Sequence, residues 1–518
     1  MSRRGLDGSS TVSLLVAGRG PLRAYWCAWL TVVVSQLVLL VLVRHPPLLD
    51  YPNHLARAYV LQHLNDVPAF HDAWISAWKP LPNLGMDLAM LALQPIFGID
   101  VAGQIFLGLA LLIGHVGCHL LGRAIHGRPT WTVLGAQFFV FNTSFLHGFV
   151  NYAVGLGVFM VALAYWLPRR RTPSWPAVAG ASLLAFACYL SHLSAVVFLG
   201  LGVATFVVAD LAARRIGTSA AVLAFVPFAA PLALLAWVPH GHGPIYWVSV
   251  VEKVRAVGWL FRAYSRPVDF LLAALLVVGG ALLVWGRARG SQAKPATEGA
   301  SQALTALVFA ALLMVLYFAC PTAISGTWAA DRRFIYPAAM LAVLSLGFQV
   351  DRWAAFGALG AILAVTIVRS AAVGRAWSAL DARIEARCQV LRGIAPGSRV
   401  FGISVGAWFN LADMAFPHVV AYAAISNHAV VPLFAQPSQQ PLLSRDQVSD
   451  PHGPRPSGGR TPTPRDIDWP YVFAAYPYVW INGPDASYLN FIRRHCATVT
   501  VVEGDLLASG CRVDAAVP

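Results

Sequence analysis

The sequence predicts a mostly α protein, a polytopic membrane helical bundle of about eleven spans, with a small C-terminal exported α/β domain. Three observations predict it. Hydrophobic residues make up 58% of the 518 and charged residues only 12%, where soluble domains are about a quarter charged. Apolar runs of membrane-spanning length recur along the first 373 positions, and the short basic segments between them alternate in phase. Beyond position 374 the composition turns mixed and polar.

The elements follow in order. Arg3, Arg4, Arg19 and Arg23 precede an apolar run from Ala24 to Val43. The run is too long for a signal-peptide core and lacks a small-x-small cleavage site, so it reads as a retained first span with its basic end in the cytoplasm. Positions 44–100 form a large first outer loop. Within it Leu88 to Gly98 is apolar, but its length of about eleven residues falls short of the roughly 20 that crossing requires. It reads as interfacial or re-entrant. Further spans are expected near 101–122, 131–147, 150–167, 176–190, 194–212, 218–238, 269–286, 302–320, 334–349 and 353–372. Arg123 with Arg128, Arg169 to Arg171, Arg214 with Arg215, Arg287 to Lys294, and Arg352 then all share the side of the N-terminus, as the positive-inside rule requires. The expected location is a bacterial inner (plasma) membrane, N-terminus cytoplasmic and tail extracytoplasmic.

In the tail, Arg375 to Ile394 has helical charge spacing. Strands are expected at 399–405, 418–425, 476–482 and 497–503, with a helix at 485–495 opened by Pro484-Asp485. The stretch 432–470 is rich in Pro, Ser, Gln and Gly and reads as a flexible insert. Cys496 and Cys511 both lie in this tail, where an oxidising compartment permits a bridge; spacing alone leaves that open.

The net charge of +14 does not indicate nucleic acid, because the basic residues sit in short clusters between spans. Walker, G-x-S-x-G and H-E-x-x-H patterns are absent from the sequence, which leaves cytoplasmic nucleotide chemistry without support. His115, Cys118 and His119 have a zinc-compatible spacing, but inside an apolar helix without a nearby acid they read as packing.

Polar residues at membrane boundaries are costly, so their distribution carries information. At the predicted outer ends of the spans stand Asp50, Asn53, His54, Arg57, His147, Asn151, His192, His240, His242, Arg262, Asp331, Arg332 and Arg333. This gathering points to a water-accessible cavity opening outward. Asp50, in Asp-Tyr-Pro-Asn-His, suits a general base; the alternative is an N-cap for a helix starting near Asn53. His54 and Arg57 lie close to one helical face with each other. Arg332 and Arg333 oppose the positive-inside trend, and an arginine fork binds phosphate; the alternatives are a pair with Asp331 or snorkelling.

This layout resembles the GT-C superfamily of integral-membrane glycosyltransferases: a retained first span, a long outer loop with an acidic residue just after it, many spans, and an exported C-terminal domain. At residue level the resemblance rests on Asp50 and, more loosely, on Asp331 to Arg333. It implies a glycosyltransferase moving a sugar from a polyprenyl-phosphate donor to an envelope acceptor, lipid or glycan, outside the membrane. It implies Asp50 as base and inversion at the sugar, with Asn53, His54, Arg57, His147, Asn151, His192, Asp331, Arg332 and Arg333 binding substrate. Many members carry Asp-Glu where Asp50 is followed by Tyr51. No cofactor is indicated, and a divalent metal is left open. The rival readings are a transporter or flippase of lipid-linked intermediates, which would need polar groups near the midplane, and a non-catalytic envelope scaffold.

Overall fold

A computed structural model describes residues 11–13, 19–238, 245–275, 277, 298–324, 327–346, 349–406, 410–433, 439–445 and 463–512. Among the described residues, six helices or helical runs are long and apolar enough to cross a membrane. They are α1 (Arg19–Val41), α5 (Ile99–His126), α10 (Leu193–Ala212), the Thr218–Trp237 run holding α11 (Thr218–Leu223) and α12 (Ala229–Trp237), α14 (Glu298–Ala319) and α16 (Arg352–Leu391). Their outward faces keep large apolar side chains exposed, such as Leu30 and Val34 on α1 and Val208 on α10. Such surface suits a lipid surround.

The remaining expected spans take other forms. α8 (Val150–Trp166) and α9 (Trp175–Ser191) are 17 residues each. The run at 131–147 is broken into α6 (Thr132–Gln137) and α7 (Thr143–Leu146), because the Asn142 side chain accepts from Phe145 N–H and starts a new turn. The run at 334–349 contains only the ten-residue α15 (Ile335–Leu344). Most of the run at 269–286, and the basic segment Arg287 to Lys294, lie outside the described residues. In the first loop, α4 (Gly85–Phe97) has 13 residues, about 20 Å of helix, too short to cross a core about 30 Å thick. Gly98, at φ 74°, separates it from α5.

α8 sits at the centre, buried almost all round. It can approach α5 closely because glycines face each other. A Cβ on Gly157 would come 2.7 Å from Gly114 N, and one on Gly117 would come 2.8 Å from Gly157 O. Small residues at such a crossing let backbones meet.

α16 runs for 40 residues, so the last apolar run and the mixed-charge helix after it are one element. In the tail, β6 (Val400–Ser404) pairs in parallel with β8 (Tyr478–Asn482). β8 pairs antiparallel with β10 (Asp505–Cys511), which pairs with β9 (Cys496–Val502), giving the order β6-β8-β10-β9. A Cys496–Cys511 disulfide closes the open end of the β9–β10 hairpin. α18 (Trp469–Ala475) packs beside this sheet, and Asp485 caps α19 (Ala486–His495) through Ser487 N–H and Tyr488 N–H.

The strand expected at 418–425 is instead a 3-10 turn, Val419–Ala421, followed by α17 (Tyr422–Asn427). Its buried alanines 421, 423 and 424 fit a helix packed against α2 (Tyr51–Gln62). Nor is the insert at 432–470 free throughout. Its β7 (Leu442–Ser444) pairs with β2 (Trp74–Ser76) of the first loop, while 434–438 and 446–462 lie outside the described residues.

One buried group fastens the sheet to α16. Arg387 Nε donates to Asp505 Oδ2 at 2.6 Å, and Asp505 Oδ1 accepts from Asn482 Nδ2 at 2.9 Å and Gly483 N–H at 3.0 Å.

Candidate active site around Asp50

Asp50 occupies the N-cap position of α2, yet its side chain makes no capping hydrogen bond. Pro52 in the first turn pre-sets the helical backbone instead. The carboxylate is therefore not engaged by its own helix, and it stays 17% exposed. The backbone beneath it is fixed from outside the loop. Asp50 N–H donates to the His147 carbonyl at 3.2 Å and Leu49 N–H to that of Leu146 at 3.4 Å. Gly148 makes this contact possible. Its φ is +77°, and a Cβ there would stand 2.6 Å from Asp50 N, so both conformation and space require glycine.

Behind α2 lies a buried ionic cluster. Arg57, fully buried, donates from Nε to Asp87 Oδ1 at 2.7 Å and from Nη2 to Asp87 Oδ2 at 3.0 Å. Nη2 also lies 3.0 Å from His54 Nδ1. A guanidinium only donates, so His54 Nδ1 accepts and the ring is the neutral Nε2–H tautomer. Burial first, then the charge of Arg57 and the presence of His418, hold this imidazole well below the usual histidine range. Arg57 Nη1 and Asn53 Oδ1 are buried without partners.

Asn151 is committed elsewhere. Its Oδ1 accepts from Met86 N–H and its Nδ2 donates to the Asn83 carbonyl, both at 2.7 Å. It anchors the start of α4 and so places Asp87.

The second half of the site is the 3-10 turn Asp331–Phe334. Asp331 is buried, with Oδ2 accepting from Thr322 Oγ1 at 2.8 Å and lying 3.3 Å from Lys253 Nζ; its Oδ1 accepts from Arg332 N–H at 2.8 Å. Lys253 also donates to the carbonyls of Tyr317, Phe318 and Cys320 at the end of α14. Asp331 thus roots the turn, and the two arginines project from it. Arg332 lies over Trp259 at 3.9 Å and Trp328 at 4.9 Å, and Arg333 over Phe149 at 5.3 Å. Tyr152 Oη donates to the Arg333 carbonyl at 2.7 Å. Arg332 Nη1 and Arg333 Nε are buried without partners.

His147 joins the halves. Its carbonyl holds Asp50, its ring stacks flat on Trp259 at 5.2 Å, and its Nδ1 donates to the Thr143 carbonyl at 2.6 Å. His192 caps α10 by accepting Ser194 N–H at 3.1 Å and sits edge-on to Tyr152 at 5.6 Å. Burial, then the charge of Arg333, keep it well below the usual histidine range. Burial also draws Arg333 down to about 10, against the opposing effects of Tyr152, Asp50 and Asp331. The charge of Asp50 therefore reaches Arg333. Among the described residues, no hydrogen bond or ion pair joins Asp50 to Arg332 or Arg333. The two arginines thus keep buried N–H donors without partners.

His240 and His242 lie outside the described residues. His119 Nδ1 bonds with Tyr25 Oη at 2.7 Å and Cys118 Sγ packs on Met160 Sδ at 3.9 Å, in keeping with packing roles. Among the described residues no group of three His, Cys, Asp or Glu is placed to hold a metal ion. Sequence reasoning missed Asp87, Gly148, Lys253, Trp259 and His418. The last lies 3.3 Å from Asp50 Oδ1 through its Nδ1. A lone buried lysine in an otherwise lysine-poor apolar region was the one signal in the sequence that could have marked Lys253.

Comparison with solved structures aligns the whole architecture. A crystal structure of ArnT from Cupriavidus metallidurans bound to undecaprenyl phosphate matches with a TM-score of 0.53 and 12% identity, over 95% of this chain and 98% of that one. The apo ArnT from the same organism matches with a TM-score of 0.43 and 14% identity, over 94% and 98%. No protein-family model and no curated protein sequence matches the chain. The chain shares the fold of the lipid-bound ArnT structure: a polytopic helical membrane protein with a small C-terminal strand region.

Proposed function

We propose that the chain is a membrane glycosyltransferase that moves a sugar from a polyprenyl-phosphate donor to an envelope acceptor, with Asp50 as general base. One observation supports this reading: the Asp50 carboxylate is uncapped and its charge reaches Arg333, while Arg332 Nη1 and Arg333 Nε are buried without partners. Undecaprenyl phosphate in the ArnT crystal structure supports the lipid class of the donor.

In this mechanism Asp50 takes the proton from an acceptor hydroxyl as its oxygen attacks the anomeric carbon. The carbon–oxygen bond to phosphate breaks, and the lipid phosphate departs with the electron pair. Arg332 and Arg333 stabilise the charge it gains, and they need little reorganisation because the Asp331–Lys253 pair and the Trp259 ring already fix their turn. Attack from the Asp50 side, opposite the leaving phosphate, inverts the sugar. The site opens to the extracytoplasmic side of a bacterial inner membrane.

The experiment is transfer from a labelled polyprenyl-phosphate sugar by protein in nanodiscs. Asp50→Asn is expected to lower turnover by about 10²–10⁴-fold with donor binding intact. Arg333→Ala is expected to weaken donor binding as well as transfer. Undiminished turnover in Asp50→Asn would remove Asp50 from catalysis and favour a carrier of lipid-linked intermediates.

A further inference from the structure

The Asp50 side chain has no cap to orient it, yet a general base must point its oxygen at one hydroxyl. A contact from the far end of the chain can do this. His418 Nδ1 lies 3.3 Å from Asp50 Oδ1 and 3.0 Å from the Leu49 carbonyl oxygen. The carbonyl can only accept, so Nδ1 carries the proton and presents it to both oxygens. The ring is 23% exposed.

His418 is itself held in place. It precedes the 3-10 turn Val419–Ala421 and α17, which pack on α2 and α16. Its place therefore depends on the tail folding back onto the first loop, where β7 also pairs with β2.

We propose that His418 is the positioning residue of the Asp50 base: its Nδ1–H, shared with the Leu49 carbonyl, fixes the carboxylate toward the acceptor hydroxyl. The inference rests on the reading of Asp50 as base. It assigns the tail a part in assembling the site.

The test compares wild type, His418→Leu, His418→Gln and Asp50→Asn in the nanodisc transfer assay, with kcat and donor KM measured between pH 5.5 and 8.5. His418→Leu is expected to lower kcat by about 10- to 10²-fold, the scale of a small misplacement of reacting groups, with donor KM unchanged. His418→Gln keeps an N–H donor at this position and is expected to recover much of the rate. A His418→Leu enzyme with wild-type kcat, or a Gln variant no faster than the leucine variant, overturns the proposal. Should the leucine variant not fold, His418→Phe, a ring without a donor, takes its place. An active Asp50→Asn refutes the base itself; an inactive Asp50→Asn beside normal His418 variants refutes only the positioning role.

Discussion

Replacing Asp87 by alanine is expected to destabilise the protein by about 3–5 kcal/mol, the cost of leaving one partner of a buried ion pair uncompensated. The structure puts this site at the severe end. Arg57 is 0% and Asp87 1% exposed, and the pair is joined at 2.7 and 3.0 Å. Without Asp87 the guanidinium keeps one neutral acceptor, His54 Nδ1, and its Nη1 has no partner at the outset. Arg57→Met should cost about as much, since it strands the carboxylate. The double variant Arg57→Met/Asp87→Leu replaces both charges by apolar groups and should cost far less than the sum. The assay is equilibrium unfolding of the four proteins in mild detergent, followed by tryptophan fluorescence. Single variants that each cost under about 1 kcal/mol, or a double variant equal to their sum, would refute the reasoning, because a desolvated and mutually compensating pair cannot behave so.

Three other outcomes follow from the same geometry. Gly148→Ala should lose activity and about 1–2 kcal/mol of stability, because a Cβ at φ +77° would press on the Asp50 amide; thermal unfolding and the transfer assay read both. Asp505→Ala should loosen the tail sheet from Arg387, which keeps only the Glu503 carbonyl there, and limited proteolysis should then cut the tail faster while the helical bundle survives. Reporter fusions after positions 172 and 400 should report cytoplasm and exterior respectively; the opposite pattern contradicts the assigned orientation.

The parts of this fold legible in the sequence are those set by local pattern. A long apolar run with a basic flank gave α1, and the short run ending at Gly98 gave an α4 too short to cross. Pro484-Asp485 marked the start of α19, where Asp485 does cap. Local pattern misled where tertiary packing decides. Val419 and Val420 favour a strand, yet the alanines after them pack as a helix on α2. The run at 131–147 is apolar enough to cross, but Asn142 breaks it. Of the candidate site, Asp50, Arg332 and Arg333 stand out in the sequence because charge is conspicuous beside apolar spans. The roles of Arg57 and Asn151 were not. Each is occupied by a partner, Asp87 or the α4 backbone, that only the fold brings near. His418 was invisible for the same reason, since 368 positions separate it from Asp50.

The central claim is that Asp50 and the Arg332–Arg333 pair form one site for a lipid-borne phosphate. It is tested most directly by a cryo-EM structure of the protein in nanodiscs containing a polyprenyl phosphate. The account predicts the phosphate within hydrogen-bonding distance of Arg333 Nε and Arg332 Nη1, with the Asp50 carboxylate facing it across space for a sugar. A well-ordered lipid phosphate bound elsewhere, with both arginines still unpartnered, would contradict it.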